Sequence, residues 1–520
     1  MKHFSTIVSF FIGNFFLLAQ PDSLAPIHSI LDTNNIKFTT MANGDMGWDY
    51  IERTIRAPKN GETGFLFTSS LWIASEDMYG DLYVAANGYN QTGLDFWAGP
   101  IATNYDAVYD AKYNRSWLVS MDQIDNHRAH YGNSNYVIPE VILNWPGNGN
   151  SVNGESEKLA PFYDENNNGI YEPANGDFPL IRGDKALFIM YNDDRELHAN
   201  SGGEKIGVEV HMMLYAYDSV VPELDNSIFV HYEVFNRGIV NFYEFYVGMF
   251  NDWDLGNYSD DLIACDADRN VSFVYNGYNI DDDYGTNPPA AGLVSLNEDM
   301  YVHWFWNNDF DPKTGNPDEP EHYFNYMNAL WLDGTGSGSN LYGSNVHLED
   351  TTDLDFGYPS VPTDRRSLHG VFIPTFLPGE SYCLDFAYVY ARKSNYSAKQ
   401  NAVLLMDYVD DVQEFYDDHF SSCTDHSADY NNLSVEEETV INEIDIIPGE
   451  GVNNWVLQDH SDFNKKYNVE VVNVLGQSLK SMEWISENKL IIDLSIYTDG
   501  IYYVKIWNNY SKVKTLNVFK

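Results

Sequence analysis

The chain has 520 residues, with 29 Lys and Arg against 77 Asp and Glu, for a formal net charge of −48. So large an excess of one sign excludes nucleic acid as a partner, because phosphate binding needs the opposite charge; it keeps the protein soluble and draws cations. An aromatic content of 15% excludes a disordered acidic chain, which lacks such residues.

At the N-terminus, Lys2 and His3 precede an apolar run from Ile7 to Ala19 that is too short to span a bilayer. This is the layout of a signal peptide over residues 1–19, cleaved near Ala19-Gln20, although Leu17 is larger than the residue usual three positions before a cut. No other segment is apolar for long enough to form a membrane helix, so the expected product is not membrane-spanning.

The body expected over residues 20–420 exceeds what one core usually accommodates and predicts two packed β subdomains. The runs "TGFLFTSSLWIA", "DLYVAANGY", "KALFIMYND", "VEVHMMLYAYD", "SIFVHYEVFN" and "YEFYVGMF" are β-branched or aromatic and are separated by Gly, Pro, Asn and Asp. That is the pattern of an antiparallel β-sandwich. One amphipathic helix is predicted from Ser397 to Asp418, where Ala402, Met406, Val409, Val412 and Phe415 recur at steps of three or four.

Two acidic loops point to calcium. In Asp164-Glu165-Asn166-Asn167-Asn168-Gly169-Ile170-Tyr171-Glu172, oxygen side chains stand at the first, third and fifth positions and glycine at the sixth. A loop with that spacing curls round one hard cation, with the Ile170 carbonyl and Glu172 as further ligands. Asn175 stands where a bidentate glutamate is usual, so Asp177 has to reach in, and Pro161 and Pro173 forbid flanking helices. The alternative is an Asn/Gly/Asp turn held by side-chain-to-backbone hydrogen bonds. The second loop, "DWDLGNYSDDLIACDADR", holds Asp252, Asp254, Asp260, Asp261, Asp266 and Asp268, with Arg269 as its one cation. Two carboxylates ~5 Å apart repel by about 3 kcal/mol at an effective dielectric near 20, so either the aspartates splay into water or a divalent ion collects them.

Residues 421–452, with "SVEEETVINE" at their centre, are acidic and poor in aromatics, as expected of a linker. Residues 453–520 hold eight lysines and seven acids, so the chain ahead of them carries −49 and composition marks a boundary. Tyr467, Val469 and Val471 alternate with Asn468 and Glu470 before Leu475-Gly476-Gln477; "IIDLS" and "DGIYYVKI" follow; the chain closes on lysine. These are strands and turns of a small β-sandwich.

The order "VEVVNVLGQSL", "IIDLS", "DGIYYVKI" and a terminal lysine resembles the type A C-terminal sorting domain of type IX secretion substrates. Its usual opening proline motif is reduced here to Ile446-Ile447-Pro448-Gly449. The resemblance implies passage through the periplasm, recognition by the type IX machinery, and a secreted or outer-surface destination. In the body, "SSLWIASED", "AANGYNQTGLDFWAGP", "DENNNGIYEPANGDFPLIRGD", "VFNRG" and "FLPGESYCLDFAYVYAR" resemble large secreted cargo proteins of unassigned activity, which carries over no catalytic residue.

Enzyme signals are weak. Glu209, Glu233 and Glu244 fall in predicted strands, His127-Arg128-Ala129-His130 and His211 form no recognisable ligand set, and GxSxG, HExxH and phosphate-loop motifs are absent. "DGTGSGSNLYGSN" from Asp333 lacks a strand-to-helix context and reads as a loop. Cys265, Cys383 and Cys423 permit one disulfide, with nothing to say which. Three readings result: a secreted, calcium-stabilised surface protein with a structural or adhesive role, its partner a surface glycan or matrix; a carbohydrate-binding module stacking sugar rings on exposed Trp and Tyr such as Trp97, Trp304 and Trp306; or a hydrolase of unrecognised type.

Overall fold

The computed structural model describes residues 26–48, 55–88, 93–336, 354–355, 358–359, 361–424, 426, 444–449, 453–459, 466–473, 478–485, 489–498, 500–507 and 514–519. The expected signal peptide, most of the expected linker, the Leu475-Gly476-Gln477 turn and the glycine-rich loop beyond Gly336 lie outside the described residues.

The protein is mainly β, and its body is built on two antiparallel sheets. The larger has nine strands. Its spatial order is Asp261–Asp266, Val271–Asn276, Ala290–Ser295, Ser381–Ala391, Ser227–Asn236, Val208–Ala216, Lys185–Asn192 and Trp97–Ala98, and Trp117–Ser120 also pairs with Lys185–Asn192. The smaller has five: Val302–Asn307, Arg365–Ile373, Phe245–Asp252, Thr68–Glu76 and Leu82–Ala86. Val210, Met212, Val230 and Leu384 of the larger sheet share one buried cluster with Leu71, Ile73, Val247 and Val371 of the smaller. The two sheets thus pack face to face across this shared cluster, as expected of an antiparallel β-sandwich. Each such aliphatic side chain, fully buried, contributes about 1.5–3 kcal/mol.

Both outer faces are covered by helices. The predicted helix spans Ala398–His419, capped by Ser397 and Gln400 in a reciprocal capping box. It lays Leu405, Val409, Val412 and Phe415 on the outer face of the larger sheet, against Phe229, Ala387 and Val389. The smaller sheet is covered by Pro320–Met327, whose Tyr323 and Tyr326 pack with Trp72, Phe250, Trp304 and Trp306. This helix, Ala107–Tyr113 and Met121–His130 add to the one helix predicted. They are too short for a periodicity to stand out, and tertiary contacts stabilise them.

Cys383 and Cys423 form the disulfide, and Cys265 is buried outside it. In the C-terminal module, the Ile444–Pro448, Asn454–Asp459 and Leu490–Asp493 strands form one sheet and the Lys466–Asn473, Ser478–Ile485, Ile501–Trp507 and Lys514–Phe519 strands another. Ile444, Leu457, Val469, Trp484 and Val504 share its core. The Ile444–Pro448 strand extends this β module back into the stretch read as linker and contains the reduced proline motif.

Glu223, beside the long helix, is pushed up to about 7 by burial and by Asp411. Because its folded value is raised, the stability it contributes is full below its ordinary pKa and is lost as pH rises through about 7. Glu223→Gln is expected to raise the melting temperature at pH 8 and leave it unchanged near pH 4, as differential scanning calorimetry can check.

Candidate metal centre

The second acidic loop begins where the Phe245–Asp252 strand leaves the smaller sheet. Asp252 ends that strand opposite Arg366, so the antiparallel register continues Asp254 toward Asp364. Trp253 between them turns inward, nearly fully buried, and its indole N–H donates to Ser367 Oγ at 2.8 Å. Alternation along the extended chain then puts Asp252 and Asp254 on one side. Carboxylate oxygens of Asp252, Asp254 and Asp364 all lie within 4.8 Å of one another.

The charge on this triad is poorly balanced. Arg366 reaches Asp252 Oδ2 at 3.4 Å, and Asn308 donates to Asp364 Oδ2 at 2.8 Å. Burial, followed by the neighbouring charges of Asp252 and Asp364, pushes the Asp254 carboxyl up to about 8 against the pull of Arg366. Asp261 stands beside it at 1% exposure, its Oδ2 accepting the Leu255 N–H at 3.0 Å and its Oδ1 buried without a hydrogen-bond partner. Burial holds this carboxyl well above its ordinary range, with Asp260, Asp254 and Asp281 adding to the effect. Unit charges ~4.8 Å apart repel by about 3.5 kcal/mol at an effective dielectric of 20, so the group keeps a proton or takes up a cation. An all-oxygen, carboxylate-rich donor set fits a hard ion such as calcium.

The structure separates the other predicted members of this loop. Asp260 accepts from Asn276 at 3.0 Å, and Asp266 is paired with Arg269 at 2.7 Å, which in turn holds Asp410 of the long helix. Gly256 makes the expected bend at φ +77°, and a Cβ there would collide with the Asp281 carboxylate. Asp364 and Arg366 were not foreseen. The loop's local cation, Arg269, faces away, and the residues that complete the cluster come from a strand more than a hundred positions downstream.

In the first loop, Asp164 accepts the N–H groups of Asn168 and Gly169 at 3.1 and 2.6 Å. Asn166 accepts the Asn168 N–H at 3.0 Å, and Asn168 accepts that of Ile170 at 2.8 Å. The Asn168 amide donates to Glu172 at 2.7 Å. Asn167 and Gly169 carry the positive φ that the tight turn requires. Asp177, fully buried, accepts the N–H groups of Glu165 and Glu172 at 3.0 and 2.7 Å and ties the two ends of the loop together. The oxygens available to an ion are thus the acceptors that shape the loop.

Other sequence candidates take structural places. Trp97, Trp304 and Trp306 are 7%, 1% and 2% exposed, so the stacking surface expected of them is instead core. His127 is buried against the Asp177 carbonyl at 3.1 Å, while His130 is exposed and bonds the Asn126 carbonyl, so the two do not converge. Glu209 is buried and taken by the Ile101 N–H, His211 and Arg237.

A family model described as a secretion system C-terminal sorting domain matches residues 457–518. The C-terminal β module is therefore a sorting domain, and the protein is a type IX secretion substrate that is delivered to the cell surface or released. Among the described residues no helix is long and apolar enough to cross a membrane. No curated protein matches the chain. Among solved structures, a polysaccharide lyase aligns over 60% of this chain and 34% of its own at 8% identity and a TM-score of 0.19. A candidate kojibiose phosphorylase from the human microbiome aligns over 80% and 36% at 6% identity and 0.26. A candidate aldose 1-epimerase from Escherichia coli K12 aligns over 70% and 100% at 9% identity and 0.25. The chain spans about a third of the length of the first two. Likeness at this level carries no activity across.

The raised folded value of Asp254 sets a pH test. Its contribution to stability is full below the ordinary carboxylate range and is lost as pH rises through about 8. In chelator the melting temperature is expected to fall between pH 4 and pH 8, and Asp254→Asn to flatten that fall by a few degrees.

Proposed function

We propose that this type IX substrate is a calcium-stabilised β protein of the cell surface with a structural or adhesive role, in which the acidic loops hold the fold. The observation that carries the reading is the gathering of Asp252, Asp254 and Asp364 within 4.8 Å beside a buried, half-satisfied Asp261. Three carboxylates gathered beside Arg366 make a site that gains from a divalent ion. The loop at Asp164, Asn166, Asn168, Ile170, Glu172 and Asp177 is the second proposed calcium site, on the spacing of its oxygens. An ion that binds only the folded state stabilises it by about 2.7 kcal/mol at a hundredfold excess over Kd. Surface delivery, a large aromatic core and loops braced in this way suit a protein that carries load or contact outside the cell.

Calcium added to chelated protein is expected to raise the melting temperature by several degrees, and Asp364→Asn to abolish most of the rise. A melt indifferent to chelator and calcium contradicts the reading. Deletion of residues 453–520 is expected to leave the protein in the periplasm, as fractionation and surface labelling can check.

A further inference from the structure

The outer face of the larger sheet carries a second cluster of different chemistry. His231 and Glu233 stand two residues apart on the Ser227–Asn236 strand and so share a face. Asp385 is the register partner of His231, and Cys383 that of Glu233. The disulfide from Cys383 to Cys423 brings the returning chain over this spot and delivers His426. Ligand atoms of His231, Glu233 and His426 all lie within 4.8 Å of one another, and the two histidine rings meet edge to face at 4.9 Å.

The ring nitrogens decide what the cluster can do. His231, 2% exposed, pairs Nδ1 with Asp385 Oδ1 at 2.8 Å, which leaves Nε2 buried with no hydrogen-bond partner. Asp385 is itself fixed, since Arg182 donates to it at 2.8 Å and the Tyr416 hydroxyl donates to its other oxygen. Arg182 also donates to the Cys423 carbonyl, which ties the returning chain to Asp385. A buried polar atom left without a partner is destabilising, and a His426–Glu233 ion pair alone would not satisfy Nε2. A carboxylate that orients one ring nitrogen while the other faces a ligand cluster is the arrangement that supports histidine–metal bonds.

We propose that His231, Glu233 and His426 bind a divalent transition-metal ion of the zinc class, with Asp385 as the positioning residue for His231. Two imidazole nitrogens and one carboxylate oxygen select such an ion over calcium, and three protein ligands leave a fourth position for water. Bonds of about 2.0–2.1 Å at tetrahedral angles place ligand atoms about 3.3 Å apart. His426 Nε2 and Glu233 Oε1 stand at 3.9 Å, so little closure is needed. Because the disulfide carries the third ligand, the site is complete only after oxidation, which the exported state permits.

The test is calorimetric titration of zinc chloride into full-length, disulfide-bonded, chelator-treated protein in excess calcium. One equivalent of zinc is expected, with His426→Ala weakening binding at least tenfold and Asp385→Asn by about 10–100-fold. Asp364→Asn, in the oxygen-only cluster, is expected to leave zinc binding unchanged, which separates this site from the calcium reading. His426 is only half-buried, so its alanine variant tests the site without emptying the core. Absence of zinc uptake by the wild type, or equal uptake by His426→Ala, would overturn the proposal.

Discussion

A carboxylate taken out of water must be met by N–H donors, by a cation or by a proton, and this fold buries several carboxylates because its chain is so acidic. Where backbone amides meet them, the carboxylates act as braces. Asp193 accepts the N–H groups of Ile206, Gly207 and Val208, Asp177 straps the first acidic loop, and Asp281 holds the chain at Asn257 and Asp283. Asp385 is met by Arg182 and His231, which outweigh its burial and hold it below its ordinary range. Asp252, Asp254 and Asp364 are the exception: three carboxylates crowd beside Arg366 at the end of the central strand of the smaller sheet.

That exception lies at a junction. The Phe245–Asp252 strand pairs with both Thr68–Glu76 and Arg365–Ile373, so the loop leaving it at Asp252 departs from the middle of the smaller sheet. The same chain then enters the Asp261–Asp266 strand of the larger sheet. Charge repulsion at Asp252 and Asp254 therefore acts where the chain passes from one sheet to the other. Relief of that repulsion by one ion bears on the packing between the sheets and not on a loop alone.

Much of this architecture was legible in the sequence because it rests on local pattern. "SIFVHYEVFN" is the Ser227–Asn236 strand residue for residue, and the apolar steps from Ala402 to Phe415 marked the long helix. The sorting module was readable from its strand order. What escaped depends on register and return of the chain. Asp364 joins Asp254 only because Arg365–Ile373 pairs in one register with Phe245–Asp252. His426 meets His231 only through a disulfide whose partners spacing could not assign. Trp97, Trp304 and Trp306 misled because a tryptophan's chemistry does not reveal which face of a strand is covered; Pro320–Met327, too short to stand out, covers Trp304 and Trp306.

The most direct test of the central electrostatic claim is terbium luminescence, since terbium occupies oxygen-rich calcium sites and Trp253 sits between two of the proposed ligands. Chelated full-length protein should show sensitised terbium emission that calcium displaces and that Asp254→Asn with Asp364→Asn removes in large part. Emission that is absent, or that persists unchanged in the double variant, would mean that these crowded carboxylates rely on protons and Arg366 and not on a divalent ion.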